Sequence, residues 1–197
     1  VKHGALVDYH ARAAIAATVD VILSRSITGN SIGAKLTIPQ GTLFTDSSGN
    51  SWLSARDVTW YSNVTTCKVP ITQHEKYTAS ALNNMLIPTG DRVIVHLGTL
   101  PNGKYYEQGS MSLQIGGETW VLVDTFAKSK PTDKHFMVSV DEALNPYIMF
   151  GDGTFGKKPA AGAKITNVVF YLTNGTQGNV KSNTITSVPS CLLYTSP

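Results

Sequence analysis

The sequence predicts an all-β fold: antiparallel sandwich or small-barrel-like β domains with many short strands and little helix. Three observations carry this expectation. Val, Ile and Thr make up 51 of 197 residues, and β-branched side chains pack well on a pleated sheet but lose rotamer freedom in a helix. Glu occurs only four times and charged residues are 15% of the chain, against roughly 25% in an ordinary soluble domain, which argues against a helical bundle or coiled coil. Turn signals recur at close intervals between short alternating runs, and no repeat of fixed period appears.

The elements follow in order. Residues 11–17 are Ala-rich and fit a short helical turn or an extended lead-in. Val19, Val21 and Leu23 then alternate with Asp20, Ile22 and Ser24, giving a strand with one apolar face. Residues 34–38 read as a second strand, halted by Pro39-Gln40-Gly41. Residues 42–45 and 51–53 form a hairpin around Asp46-Ser47-Ser48-Gly49-Asn50, whose Asp, Gly and Asn content marks a turn. Residues 58–61 and 67–71 read as another strand pair. Residues 79–85 fit a short helix or an irregular connection. Val93, Val95 and Leu97 alternate again. Residues 112–115 and 118–123 flank Gly116-Gly117, which supply the positive φ angles of a two-residue primed turn. Residues 136–140 and 147–150 bracket a turn over 141–146, and residues 165–172 form a long strand before Asn174-Gly175.

Periodicity lapses over residues 83–90. This places a boundary between an N-terminal β region, residues 1–84, and a second β region, residues 85–189, although the length also suits one domain. Ser129-Lys130-Pro131-Thr132-Asp133 reads as a loop.

Composition limits the function classes. A net charge of +3 is too weak to predict a nucleic-acid partner. No apolar run approaches the 18 or more residues of a membrane-spanning helix, and the N-terminus lacks the layout of a signal peptide. Val1 is not an initiator Met, so the chain is expected to lie inside a longer reading frame or to follow a trimmed start. Cys67 and Cys191 lack metal-ligand spacing and read as unpaired thiols. His3, His10, His74, His96 and His135 are scattered, with no paired-His motif, so neither a metal nor a catalytic centre is expected.

The sharpest local pattern is Phe150-Gly151-Asp152-Gly153-Thr154-Phe155-Gly156-Lys157-Lys158-Pro159-Ala160-Ala161-Gly162. Gly151, Gly153 and Gly156 spell G-x-G-x-x-G, but a dinucleotide site needs a helix opening at the third glycine. Pro159 and Gly162 follow at once, and a strand comes next. A tight chain reversal is therefore expected, with Asp152 bonding nearby backbone amides and a glycine at positive φ. Trp52, Trp60 and Trp120 lie in or beside strands; Trp120 shares its parity with Leu122, which predicts burial rather than a carbohydrate platform. Asn63-Val64-Thr65 and Asn174-Gly175-Thr176 match glycosylation sequons without a secretory context.

Taken in order, these residues resemble the baseplate J-like family of baseplate wedge proteins in contractile-tailed bacteriophages. The family pattern F-G-D-G-x-x-G-x-x-P-x-x-G, a strand ending in Tyr, and G-x-x-G-N-V is matched by Phe150, Gly151, Asp152, Gly153, Gly156, Pro159, Gly162, Tyr171, Gly175, Gly178, Asn179 and Val180. Upstream, Ile38-Pro39-Gln40-Gly41-Thr42, Val69-Pro70-Ile71, residues 120–126 and residues 136–142 are similar to further stretches of the family. The resemblance spans residues 15–188 and lacks the family's longer assembly region. Residues 190–197 fit neither the family nor the preceding pattern and read as a non-native tail, like translated adapter sequence. The resemblance implies an internal fragment of a structural wedge subunit. It implies no catalysis and no cofactor, no nucleic-acid, membrane or small-molecule partner, contacts with a second copy and with other wedge subunits, and a place in the virion tail after assembly in the host cytoplasm. The competing readings are a carbohydrate-binding β-module of a tail fibre or receptor-binding protein, which requires exposed coplanar aromatics, and a nucleotide-dependent enzyme, which requires a helix after Gly156.

Overall fold

The structure, a computed structural model, describes residues 13–24, 35–79, 82, 84–90, 93–101, 103–181 and 183–187. It is 47% strand and 2% helix, with many short strands in curled, mainly antiparallel sheets, as the composition predicts. The first strands are β1 (Thr18–Ser24), β2 (Lys35–Ile38), β3 (Leu43–Asp46), β4 (Ser51–Ser54), β5 (Val58–Tyr61), β6 (Thr66–Thr72) and β7 (Glu75–Thr78). Then come β8 (Ile94–His96), β9 (Tyr105–Tyr106), β10 (Ser112–Ile115), β11 (Glu118–Leu122), β12 (His135–Val140), β13 (Pro146–Phe150), β14 (Ile165–Thr173) and β15 (Ile185–Ser187).

The chain divides into two compact units, Val1–Ile15 with Lys76–Thr173 and Ala16–Glu75 with Asn174–Pro197. The change of unit thus falls at residues 75 and 76, ahead of the lapse in periodicity on which a boundary after residue 84 rests. From Asn174 the chain also returns to the unit of the early strands. Local periodicity cannot register such a return, because long-range strand pairing creates it. Residues 190–197 lie outside the described residues, as do His3, His10 and Cys191.

In the unit of the early strands, one sheet has the order β1-β6-β4-β3-β15, and β2 and β5 form a separate pair. The Asp46–Asn50 turn makes the expected hairpin, with Phe44 opposite Trp52. Residues 58–61 and 67–71 do not pair with each other as the sequence led one to expect. Instead β5 lies against β2, with Leu36 opposite Trp60, and β6 sits between β1 and β4. A turn after Tyr61, closed by the Val64 amide on the Tyr61 carbonyl at 3.1 Å, passes the chain between sheets. Two adjacent strands pair only if their turn folds them back in register, and this one does not. Ile38, Phe44, Trp52, Trp60, Val69 and Ile71 form the core.

The other unit holds the order β7-β14-β10-β11-β12-β13-β8, with β9 also on β14. Gly116 (φ 59°) and Gly117 (φ 81°) form the primed turn that matches strand twist, and Leu113 stands opposite Trp120. β11 and β12 are parallel over Val121↔His135 and Leu122↔Phe136, an exception to the antiparallel expectation. The long connection over 123–134 returns the chain to the end where β11 began, so the next strand runs the same way. In β14, Asn167 takes φ 53° beside a register shift between Ser112 and Gln114. This bulge flips the inward parity from Ile165 to Val168, Phe170 and Leu172, all buried. Residues 79–85 are irregular where described, closed by Leu82 N on Ala79 O and Met85 N on Leu82 O, both 3.0 Å. Trp120 meets Phe150 edge-on at 5.3 Å, and Phe136, Ile148 and Phe170 are fully buried in the same core cluster.

Candidate functional site

The glycine-rich segment leaves β13 at buried Phe150 and reverses at once. Asp152 Oδ1 accepts the amides of Thr154 (2.7 Å) and Phe155 (2.9 Å), while Gly153 N donates to Gly156 O at 3.0 Å. Gly153 (φ 94°), Gly156 (φ 84°) and Gly162 (φ 76°) all occupy the left-handed region, where a Cβ is strained. Gly151 is required for another reason: a Cβ there would lie 2.3 Å from the Gly156 carbonyl carbon. Gly156 in turn packs against Phe126, whose ring would sit 3.2 Å from an added Cβ.

Beyond Gly156 the chain is extended or turning until β14 begins. The helix that a dinucleotide site requires does not start there. Pro159 is buried, Lys157 N donates to Asp133 O at 2.7 Å, and Gly162 N donates to Ile87 O at 2.9 Å. Tyr171 lies half-buried in β14, its amide on Ser110 Oγ at 3.0 Å. The remaining motif residues belong to the other unit. Gly178 ends a 3-10 turn (Gly175–Gly178), and a Cβ there would meet Gln73 Oε1 at 2.6 Å. Asn179 is exposed, and Val180 packs partly on the core.

Two features invisible to motif reading surround these residues. The first is a polar network. Asp46 Oδ1 accepts the amides of Ser48 (2.8 Å) and Asn50 (3.0 Å), and its Oδ2 accepts Asn50 Nδ2 (2.9 Å) and Trp52 Nε1 (3.1 Å). Asn50 Oδ1 then accepts Asn174 Nδ2 at 2.7 Å, and Gln73 Oε1 accepts the Asn174 amide at 3.0 Å. Burial alone would raise the Asp46 pKa, but the hydrogen bonds from Asn50, Trp52 and Ser48 outweigh it and hold the carboxyl below its ordinary value. Both oxygens are engaged by donors, so this carboxylate organises a turn. The only sequence signal for it is the D-x-x-x-N spacing.

The second feature is an open apolar groove of about 520 Å³ beside the glycine-rich segment, floored by the cross-strand pair Met137 and Met149 and flanked by Ile94, Phe126 and half-exposed Phe155.

Elsewhere the polar groups serve structure. Ser129 Oγ lies 2.8 Å from His135 Nδ1, tying the 123–134 connection to β12. His96 meets Tyr147 with ring centres 5.5 Å apart and planes tilted by 39°. Burial pushes the Tyr106 phenol up to about 12. Trp52, Trp60 and Trp120 are all buried. Cys67 is buried in the core of the early-strand unit. Among the described residues, no group of three or more His, Cys, Asp or Glu side chains is placed to hold a metal, and no helix is long and apolar enough to cross a membrane. Comparison with protein-family models, curated proteins and solved structures gives no match to this chain.

Proposed function

We propose that this chain is part of a structural wedge subunit of a contractile-tail baseplate, without catalytic activity. One observation carries the reading: the residues of the ordered motif are spent on backbone packing. Gly151 admits Gly156, Gly178 admits Gln73, and Gly153 and Gly162 turn the chain, which suits a part whose work is to hold a shape. Its partners in this reading are a second copy and other wedge subunits, and its place is the tail baseplate of a virion assembled in the host cytoplasm. All three Trp side chains are buried, so a carbohydrate-binding reading would have to rest on other aromatic side chains.

The test is co-expression of the natural reading frame with the genes that flank it, followed by affinity purification. Recovery of a stoichiometric complex with tail-sheath, tube or wedge products supports the reading. Neighbours that encode metabolic enzymes, together with no complex, overturn it.

A further inference from the structure

The fold fixes Asn174 and Gly175 for different reasons. Gly175 opens the 3-10 turn (Gly175–Gly178) at φ 56°, where a Cβ is strained. Asn174 is fixed by the polarity of the network that it ends. Asp46 is ionised at neutral pH, and a carboxylate only accepts hydrogen bonds. Asn50 must therefore turn its Nδ2 toward Asp46 Oδ2 (2.9 Å), which leaves its Oδ1 facing Asn174. Position 174 must then supply a donor, and Asn174 Nδ2 does so at 2.7 Å. A carboxylate in its place would set acceptor against acceptor. The other amide atom, Asn174 Oδ1, is buried and accepts no hydrogen bond among the described residues, so a charge there would go uncompensated.

We propose that Asn174 is a deamidation site gated by the fold, closed to reaction while Asn50 holds its side chain and open once this segment comes away. An Asn followed by Gly carries the reaction in its own covalent structure, because no Cβ on the next residue hinders its amide nitrogen. Gly175 N attacks Asn174 Cγ and gives up its proton. The new N–Cγ bond closes a succinimide ring as the Cγ–Nδ2 bond breaks, and Nδ2 leaves as ammonia. Water then opens the ring at either carbonyl, giving aspartate or isoaspartate. The only co-reactant is water. In the folded protein Nδ2 is bound to Asn50, and the Asn174 main-chain amide to Gln73 Oε1 at 3.0 Å. The side chain cannot turn onto the Gly175 nitrogen without giving up its bond to Asn50. Neither product rejoins the network. Aspartate meets Asn50 Oδ1 with an acceptor. Isoaspartate also lengthens the main chain by a carbon ahead of Gly178, where even an added Cβ would lie 2.6 Å from Gln73 Oε1. An opening of this segment is thereby recorded as a one-way covalent change. This assignment does not depend on the baseplate reading.

The experiment incubates the full chain at neutral pH, native and unfolded in guanidinium chloride, and follows deamidation at Asn174 by peptide mapping with mass spectrometry. Asn102, in the chain's other Asn-Gly pair, reports the intrinsic rate in the unfolded sample. Asn174 should react at least about tenfold more slowly in the native protein than in the unfolded one, since reaction there waits on local opening. Asn50→Ala, with its circular dichroism unchanged, should bring the native rate to within about threefold of the unfolded one. In a second arm, Asn174→Asp copies the product. It should lower the melting temperature of the parent, and lower it less in an Asp46→Asn background, where Asn50 is free to turn its Nδ2 toward position 174. The assignment is overturned if native and unfolded rates at Asn174 agree, or if Asn174 stays equally slow in a folded Asn50→Ala variant. Equal melting-temperature losses from Asn174→Asp in the two backgrounds overturn it too, and this arm stands even where Asn50→Ala fails to fold.

Discussion

Gly151 and Gly156 touch main chain to main chain: a Cβ on Gly151 would stand 2.3 Å from both the carbonyl carbon and the carbonyl oxygen of Gly156. No side-chain rotation relieves such a contact. Gly153, two residues away, has only Lys158 Cβ at 3.8 Å and is constrained by its φ of 94° alone. Gly151→Ala should therefore destabilise the protein by about 2–3 kcal/mol, the scale of overpacking, and Gly153→Ala by about 1 kcal/mol. Urea titration of both variants checks the order. A Gly153→Ala variant that is the weaker of the two would contradict this account.

Gly178 makes a different close approach, to the end of a side chain. Gly178→Ala should displace the buried Gln73 amide and cost about 1–3 kcal/mol. Since the clash is with Oε1 at 2.6 Å, shortening Gln73 should relieve it. The double variant Gly178→Ala with Gln73→Ala is expected to be less destabilised than the sum of the singles by about 1 kcal/mol. Strict additivity in a thermal-melt cycle would show that the two residues do not meet.

Asp46 gives a pH dependence of known sign. Its folded pKa lies below the ordinary value of 3.8, so the unfolded chain binds the proton more readily. The stability it contributes is complete above about pH 5 and is lost as pH falls through the unfolded value and on to the lowered folded one. Asp46→Asn should cost about 2 kcal/mol at pH 7, because one oxygen that accepts two donors becomes an amide nitrogen. The gap between parent and variant should narrow below about pH 4. A gap that widens on acidification would refute the assignment.

The two Asp-to-Asn turns have the same build. Asp141 Oδ1 accepts the amides of Ala143 (2.9 Å) and Asn145 (2.8 Å), as Asp46 Oδ1 accepts those of Ser48 and Asn50. The left-handed position is Gly49 (φ 82°) in one turn and Leu144 (φ 64°) in the other. Leu144 is 42% exposed and has little packing to lose. Leu144→Gly is thus expected to raise stability by up to about 1 kcal/mol, and Gly49→Leu to lower it by about 1–2 kcal/mol. Differential scanning calorimetry of the two variants reads both signs, and a lowered melting temperature for Leu144→Gly would count against the strain.

What could be read without the structure is whatever neighbours in sequence decide. The alternation of Val93 and Val95 with Ile94, the Gly116-Gly117 turn and the burial of Trp120 all follow from the two-residue period of a strand and the φ demands of a short turn. The reversal after Phe150, and the need for glycines in it, were legible for the same reason. The tertiary structure alone decided which strands meet. It set β5 against β2 rather than β6, β12 parallel to β11, and the chain after Asn174 back on the early strands. It also revealed that Gly151 is held by contact rather than by φ, that Asn167 bulges β14 and resets its inward face, and that Asp46 reaches Asn174 through Asn50. Strand pairing and close packing are made between residues far apart in the chain, through directional main-chain bonds that many segments could offer equally well. The choice among them rests on how turns, bulges and buried volume fit together in three dimensions.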